Sequence, residues 1–182
     1  MKTHCMIDIE TLGTAPGSVI VSLGAAAFTQ TQAHETFYAN ISINSCLNAG
    51  MVVDAGALKF WMTQASQGNR DDLFVNPRGL REVLHDFTAF WKEANCQWLW
   101  SHGSDFDTVL LGVAYSMAGY DYFRPWTHRS IRDTRTLFSL AKKMEHLPRD
   151  PSDKHNALTD ALYQVRQVQA AYEALGQQLE DT

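Results

Sequence analysis

The first quarter of the chain holds β-rich runs, some alternating apolar and polar positions with period two, and most of the remainder repeats at helical spacing. MIDIE (6–10) is followed by the turn-prone TLGTAPGS, with Gly13, Pro16 and Gly17 as punctuation. VIVSLGAAAF (19–28) is rich in β-formers, TQTQAHE is a polar turn, and TFYANISI (36–43) alternates again. Three strands joined this closely predict an antiparallel meander. Asp54 then caps a predicted helix with Leu58, Trp61, Met62 and Ala65 on one face. Asn76–Pro77 reads as the start of a second helix, striped by Leu80, Val83, Leu84, Phe87, Phe90, Trp91 and Ala94.

QWLWS (97–101) reads as a short buried strand. Ser104 is placed to cap the next helix, and Asp133 or Thr134 the one after it. A last helix begins near Asn156, with Leu158, Ala161, Leu162, Val165, Val168, Tyr172 and Leu175 inward. The order is β-β-β-α-α-β-α-α-α, with room for a short fifth strand near Ser130–Arg132. A meander followed by β-α alternation predicts an α/β fold: a mixed sheet flanked by helices. The sequence shows no internal repeat, low-complexity tract or linker, so residues 1–182 read as a single domain.

Composition is that of a globular chain, 45% apolar and 19% charged. No run approaches the roughly 20 apolar residues of a membrane span, and the N-terminus does not read as a signal peptide. Cys5, Cys46 and Cys96 have no ligand-like spacing, which suggests reduced thiols and a cytoplasmic setting. The net charge of −5 is unevenly spread. Residues 124–154 hold eight Lys and Arg against four acids, a net +4; the remainder holds seven against sixteen, a net −9. Such a segment reads either as a solvated basic helix with its flanks or as a binding patch for a polyanion.

Three stretches could carry chemistry. In MIDIE, Asp8 and Glu10 share a face of their strand, and two buried like charges require compensation by a proton, a basic partner or a metal. In SHGSDFDTVLLG (101–112), Asp105 and Asp107 sit in the first turn of a helix after a strand, where an acid serves either as a cap or in a crevice. In KHNALTDA (154–161), His155 and Asp160 are five apart. Asp160 lies about 120° from the apolar stripe at 100° per residue, which points it to solvent or a cleft edge. Each stretch alone has an ordinary structural explanation. Together they offer four carboxylates and one imidazole, a set suited to hard divalent cations and in-line attack on a phosphodiester.

In order, DIETLGT, HGSDFD and HNALTD resemble the three motifs of the DEDDh 3′-to-5′ exonucleases, from Asp8 to Asp160. MIDIETLGTAPGSVIVSLGAAAF, WSHGSDFDTVLL and RDTRTLFSLA are most similar to a small single-domain branch of bacterial and phage exoribonuclease-like proteins. The resemblance implies a ribonuclease-H-like fold and hydrolysis of single-stranded RNA or DNA from the 3′ end, with RNA favoured. It implies Asp8, Glu10, Asp107 and Asp160 as ligands of two divalent cations, Mg²⁺ or Mn²⁺, and His155 as general base. It further implies that Thr11 and Leu12 seat the terminal nucleotide, that Phe106 packs its helix, and that the protein is a homodimer. Arg135 is the first candidate for a phosphate contact, against a local cap and salt bridge with Asp133. Many family members carry Asn where this chain has Gly103. Of the tryptophans, Trp61 and Trp91 read as core, and Trp126, in the polar loop FRPWTHR, is the least committed.

Two other classes compete. DIETLGT also resembles the hhhDxDxT start of an aspartyl-phosphate phosphatase, but Glu10 stands where Asp is usual and no later Lys with paired acids is apparent. A catalytically silent nucleic-acid-binding subunit would keep the fold without needing all five site residues.

Overall fold

The computed structural model describes residues 3–142, 144, 147–149 and 155–179. Five strands form one mixed sheet in the order β3-β2-β1-β4-β5. β1 (Thr3–Thr11), β2 (Ile20–Phe28) and β3 (Ala33–Asn40) run antiparallel. β4 (Cys96–Ser101) and β5 (Ile131–Asp133) lie parallel to β1 on its other side. The expected meander, mixed sheet and fifth strand are therefore all present.

β1 is central and covered on both faces, so neither of its side-chain rows is a solvent flank. The odd row, Cys5, Ile7 and Ile9, packs into the larger core with Leu84, Phe87, Leu110 and Tyr115. These come from α4 (Leu80–Glu93) and α5 (Asp107–Met117). On the even row, Met6 packs with Trp100, Ala161, Val165 and Val168 in a second core. α7 (Ala157–Leu175) lies over this face, and its first turn reaches the stretch of β1 that carries Asp8 and Glu10.

Several predicted boundaries move, each for a local reason. The third strand ends at Asn40, and Ser42 caps a short α1 (Ile43–Asn48). Asp54 caps α2 (Ala55–Thr63) as expected, but only Trp61 and Ala65 of its predicted stripe are buried. Leu58 and Met62 are exposed instead. A further short helix, α3 (Gln67–Asp72), escapes the sequence pattern. The next helix does not start at Asn76–Pro77. The Arg78 N–H donates to the Asn40 carbonyl, extending the end of β3, and α4 begins after Gly79. Ser104 does not cap α5, which begins at Asp107 with Phe106 at its N-cap position; the Ser104 N–H donates instead to Asp133 Oδ2 at 2.8 Å. Asp133 itself caps α6 (Thr134–Leu140) by accepting from the Thr136 N–H. Among the described residues, no helix is long and apolar enough to cross a membrane.

Candidate metal centre

The site forms where the C-terminal half of β1 meets the first turn of α7. Antiparallel register sets Asp8 opposite Gly24 of β2. A Cβ at Gly24 would stand 2.2 Å from the carbonyl carbon of Ala157 and 2.3 Å from the amide nitrogen of Leu158. Glycine is therefore required for the helix to land there. Asn156 caps the landing turn, its side chain accepting from the N–H groups of Leu158 and Thr159. The turn carries Asp160 down to the sheet. Its helical-wheel angle allowed solvent or a cleft edge; Asp160 takes neither the open solvent nor the apolar stripe but is buried against the strand end, which covers the polar side of the helix at that point. Carboxylate oxygens of Asp8, Glu10 and Asp160 all lie within 4.8 Å of one another.

Asp107, the fourth expected acid, is buried at the start of α5 and accepts a hydrogen bond from the Ile9 N–H at 3.3 Å. That contact ties it to β1 between Asp8 and Glu10. Asp105 is exposed, so burial separates the two acids of HGSDFD in favour of Asp107.

Crowding and desolvation leave this cluster short of positive charge. Burial, then the charges of Asp107 and Glu10, push Asp8 well above the usual carboxylate range. Burial and Asp107 push Glu10 up to about 8. Burial raises Asp107 to about 7, against the opposing hydrogen bond from Ile9. Two groups offset the strain. The Arg149 guanidinium pairs with Asp160 and lies 4.8 Å from the ring centroid of Tyr163. Gln164, one turn beyond Asp160, donates from Nε2 to Asp8 Oδ1 at 2.8 Å. Among the described residues its buried Oε1 has no hydrogen-bond partner. Closely set carboxylate oxygens held apart from water are the donor set that hard divalent cations take, so the residues present fit such a group.

The other expected residues surround this centre. The His155 backbone N–H donates to Asp160 Oδ2 at 3.0 Å, at a left-handed φ of 64°. Its imidazole meets the rings of Phe60 and Trp61 edge-on, at 5.2 and 6.4 Å. Thr11 Oγ1 donates to the Gly13 carbonyl, and the Thr11 carbonyl accepts from Trp61 Nε1 at 2.9 Å. Leu12 is buried between backbone bonds to Val19 and Asp54. Phe106 packs against the larger core. Gly103 has φ 103°, and the Arg135 guanidinium carbon sits 3.0 Å from where its Cβ would be. Glycine here makes room for Arg135, whose charge helps hold down Asp107. Among the described residues no ion pair joins Arg135 to Asp133, so the salt-bridge alternative is not formed.

Trp126 is core rather than a stacking platform. It is buried against Phe87, Trp91 and Tyr115, with Arg124 over its ring. Of the basic segment, Lys143, Glu145, Asp150, Asp153 and Lys154 lie outside the described residues. Sequence reasoning missed Gly24, Arg149, Asn156 as a cap, and Gln164. Only Gln164 left a usable signal, a polar residue four beyond Asp160 and therefore on the same face of the helix as that acid.

Comparison with known proteins gives the family and the fold. A family model described as the 3′-5′ exoribonuclease Rv2179c-like domain matches residues 3–172. No curated protein matches the chain. Among solved structures, one of exonuclease I matches with a TM-score of 0.68 at 13% identity, covering 95% of this chain and 41% of that one. E. coli exonuclease I in complex with a dA16 oligonucleotide matches with a TM-score of 0.68 at 12% identity, covering 97% and 42%. The zinc-bound E. coli exonuclease I–ssDNA complex also matches with a TM-score of 0.68, at 14% identity, covering 95% and 41%. This chain spans about two fifths of the length of those structures. At such identities the likeness shows the fold, an α/β sheet of the exonuclease I type. The family match covers nearly the whole chain, and the chain belongs to the Rv2179c-like 3′-5′ exoribonuclease domain family.

Proposed function

We propose that the chain is a 3′-to-5′ exonuclease that hydrolyses single-stranded nucleic acid, RNA in preference to DNA, to nucleoside 5′-monophosphates. The observation that carries this reading is the convergence of Asp8, Glu10 and Asp160 within 4.8 Å, with Asp107 bonded to the strand between the first two. Asp8, Glu10, Asp107 and Asp160 would hold two divalent cations, Mg²⁺ or Mn²⁺. When bound, these supply Lewis-acid activation of a water and charge neutralisation at the leaving oxygen.

The chain's own residues do the rest. His155, anchored through its N–H to Asp160 and braced by Phe60, takes the proton from the attacking water. Water oxygen bonds to phosphorus, the bond to the 3′ oxygen of the upstream nucleotide breaks, and that oxygen leaves as a new 3′-hydroxyl. Thr11 and Leu12, fixed by bonds to Trp61, Gly13 and Val19, form a rigid seat for the terminal nucleotide. Arg135 binds a backbone phosphate. The exposed apolar side chains of Leu58, Met62, Phe74 and Val75 are a surface that a second copy would cover in a homodimer.

The test is degradation of 5′-labelled RNA and DNA of matched sequence, with and without Mn²⁺. Stepwise shortening from the 3′ end that requires Mn²⁺, faster on RNA, is expected. Absence of metal-dependent turnover on either substrate would overturn the reading in favour of a binding subunit. A covalent phosphate trapped on Asp8 would favour the phosphatase class. Light scattering reports the oligomeric state, with two copies expected.

A further inference from the structure

The even face of β1 carries more than the acids. His4 and Met6 lie on the same row as Asp8 and Glu10, and parallel register sets Trp98 and Trp100 of β4 beside them. Arg132 of β5 stands opposite Trp100. α7 covers this row from end to end. Its first turn holds Asp160 over the acids, and Tyr172 near its other end meets Trp100 edge-on at 6.3 Å. There a cavity of about 350 Å³ opens among His4, Trp98, Trp100, Arg132, Leu137 and Tyr172.

The lining has a definite chemistry. The half-buried Trp98 and Tyr172 supply aromatic surface. His4 and Trp100 are buried and fixed to each other, with Trp100 Nε1 donating to His4 Nδ1 at 2.9 Å. The Arg132 guanidinium lies 5.7 Å from the Trp98 ring centroid. Its Nη1 donates to the carbonyls of Arg129 and Ile131, which holds the group over the indole and, among the described residues, leaves Nε and Nη2 for an anion. Gln177 and Gln178 add amides at the rim. Flat aromatic walls, a fixed cation and a polar rim together match a nucleobase with its phosphate. The volume is within the ordinary range for small ligands, about 300–1,000 Å³.

Placement agrees with chemistry. Tyr172 follows Asp160 by twelve residues of one helix, about 18 Å at 1.5 Å per residue. Arg135 stands at the catalytic end of the β5–α6 edge and Arg132 at the cavity end. A single strand with its 3′ end at the acids would meet a cation at each end of that edge. Resting on the nuclease reading above, we propose that this cavity is a stacking subsite for an upstream nucleobase of the bound strand, with Arg132 on the adjoining phosphate.

The experiment uses the full chain and two variants, Arg132→Gln and Trp98→Ala, with folding checked by thermal melting. Binding of a 5′-labelled 12-nucleotide single-stranded RNA is followed by fluorescence anisotropy in EDTA across a salt series. Hydrolysis of the same 12-mer and of a dinucleotide is followed in Mn²⁺. Each variant is expected to bind the 12-mer roughly tenfold more weakly. Arg132→Gln is expected to lower the slope of log affinity against log salt by about 0.7. kcat/KM should fall for the 12-mer and hold for the dinucleotide, which is too short to reach the cavity. Unchanged 12-mer binding, or equal loss of hydrolysis on both substrates, overturns the proposal. Should Trp98→Ala fail to fold, Arg132→Gln decides alone, because its side chain sits at the surface. A wild-type chain that hydrolyses neither substrate sinks the nuclease reading only, since the binding comparison still reads the cavity.

Discussion

At its N-terminal end α7 lowers Asp160 onto Asp8 and Glu10, and at its C-terminal end it lowers Tyr172 onto Trp100 beside His4. Both ends cover the same row of β1, yet they settle their polar groups differently. At the aromatic end, Trp100 and His4 satisfy each other across the strands, and burial of rings adds stability. At the acid end, like charges are forced together and their protonation is shifted, with Arg149, Gln164 and Arg135 giving partial relief. The second core, around Val165 and Val168, lies between them and holds the helix to the sheet. The acid end is the part of the molecule whose cost is met by the rest of the helix, as expected of a functional site.

The sharpest way to break this contrast is Asp8→Asn. It should lower the hydrolysis rate at least about 100-fold, the scale for losing a metal ligand. It should also raise the melting temperature of the metal-free chain, since one buried like charge is gone, and abolish the upward shift produced by millimolar Mg²⁺ or Mn²⁺. A variant both inactive and less stable without metal would mean that the acids are not under strain.

Gly24→Ala comes next. The added methyl meets backbone and must lift the first turn of α7, so both stability and metal affinity should fall, the former by roughly 1–3 kcal/mol. Denaturant melts and a Mn²⁺ activation curve measure the two. Val168→Ala is the matched control within the helix. It should cost about 2 kcal/mol of stability while leaving the Mn²⁺ activation midpoint where it was. Gln164→Leu should do the reverse, weakening Mn²⁺ activation about tenfold with little change in the metal-free melt.

The smallest effect is in pH. Folded Glu10 holds its proton to about 8 and Asp107 to about 7, whereas the unfolded chain releases both near pH 4. Between about pH 4.5 and 8 the folded metal-free chain therefore binds more protons than the unfolded one, and its stability declines as pH rises through that window. Bound divalent cations should flatten this decline. Melting curves at pH 5 and pH 8, with EDTA and with Mg²⁺, compare the two cases directly.

What could be read from the sequence follows from how local each cause is. Asp8 and Glu10 declare their shared face through strand periodicity alone, and His155 and Asp160 through their spacing at the start of the last helix. The strands and the long amphipathic helices show for the same reason. Gly24 passes as one small residue in a β-rich run, because what demands it is the backbone of Ala157, far along the chain. Trp126 looks like a loop residue until α4 and α5 close over it. The false start at Asn76–Pro77 has a similar origin. The signals for a helix are present, but Arg78 is drawn into pairing with Asn40, which no local pattern announces.

The contact at Gly24 also decides how the molecule can tolerate change. The atoms that a side chain there would strike are the carbonyl group of Ala157 and the amide nitrogen of Leu158, not any part of their side chains. Trimming either neighbour frees no room, so a second-site suppressor cannot be found among the residues that touch the lesion. Recovery would demand that the whole helix be reseated, with Asp160, which it carries, moving too. A reversion screen starting from Gly24→Val should accordingly return glycine itself rather than compensating substitutions at 157 or 158.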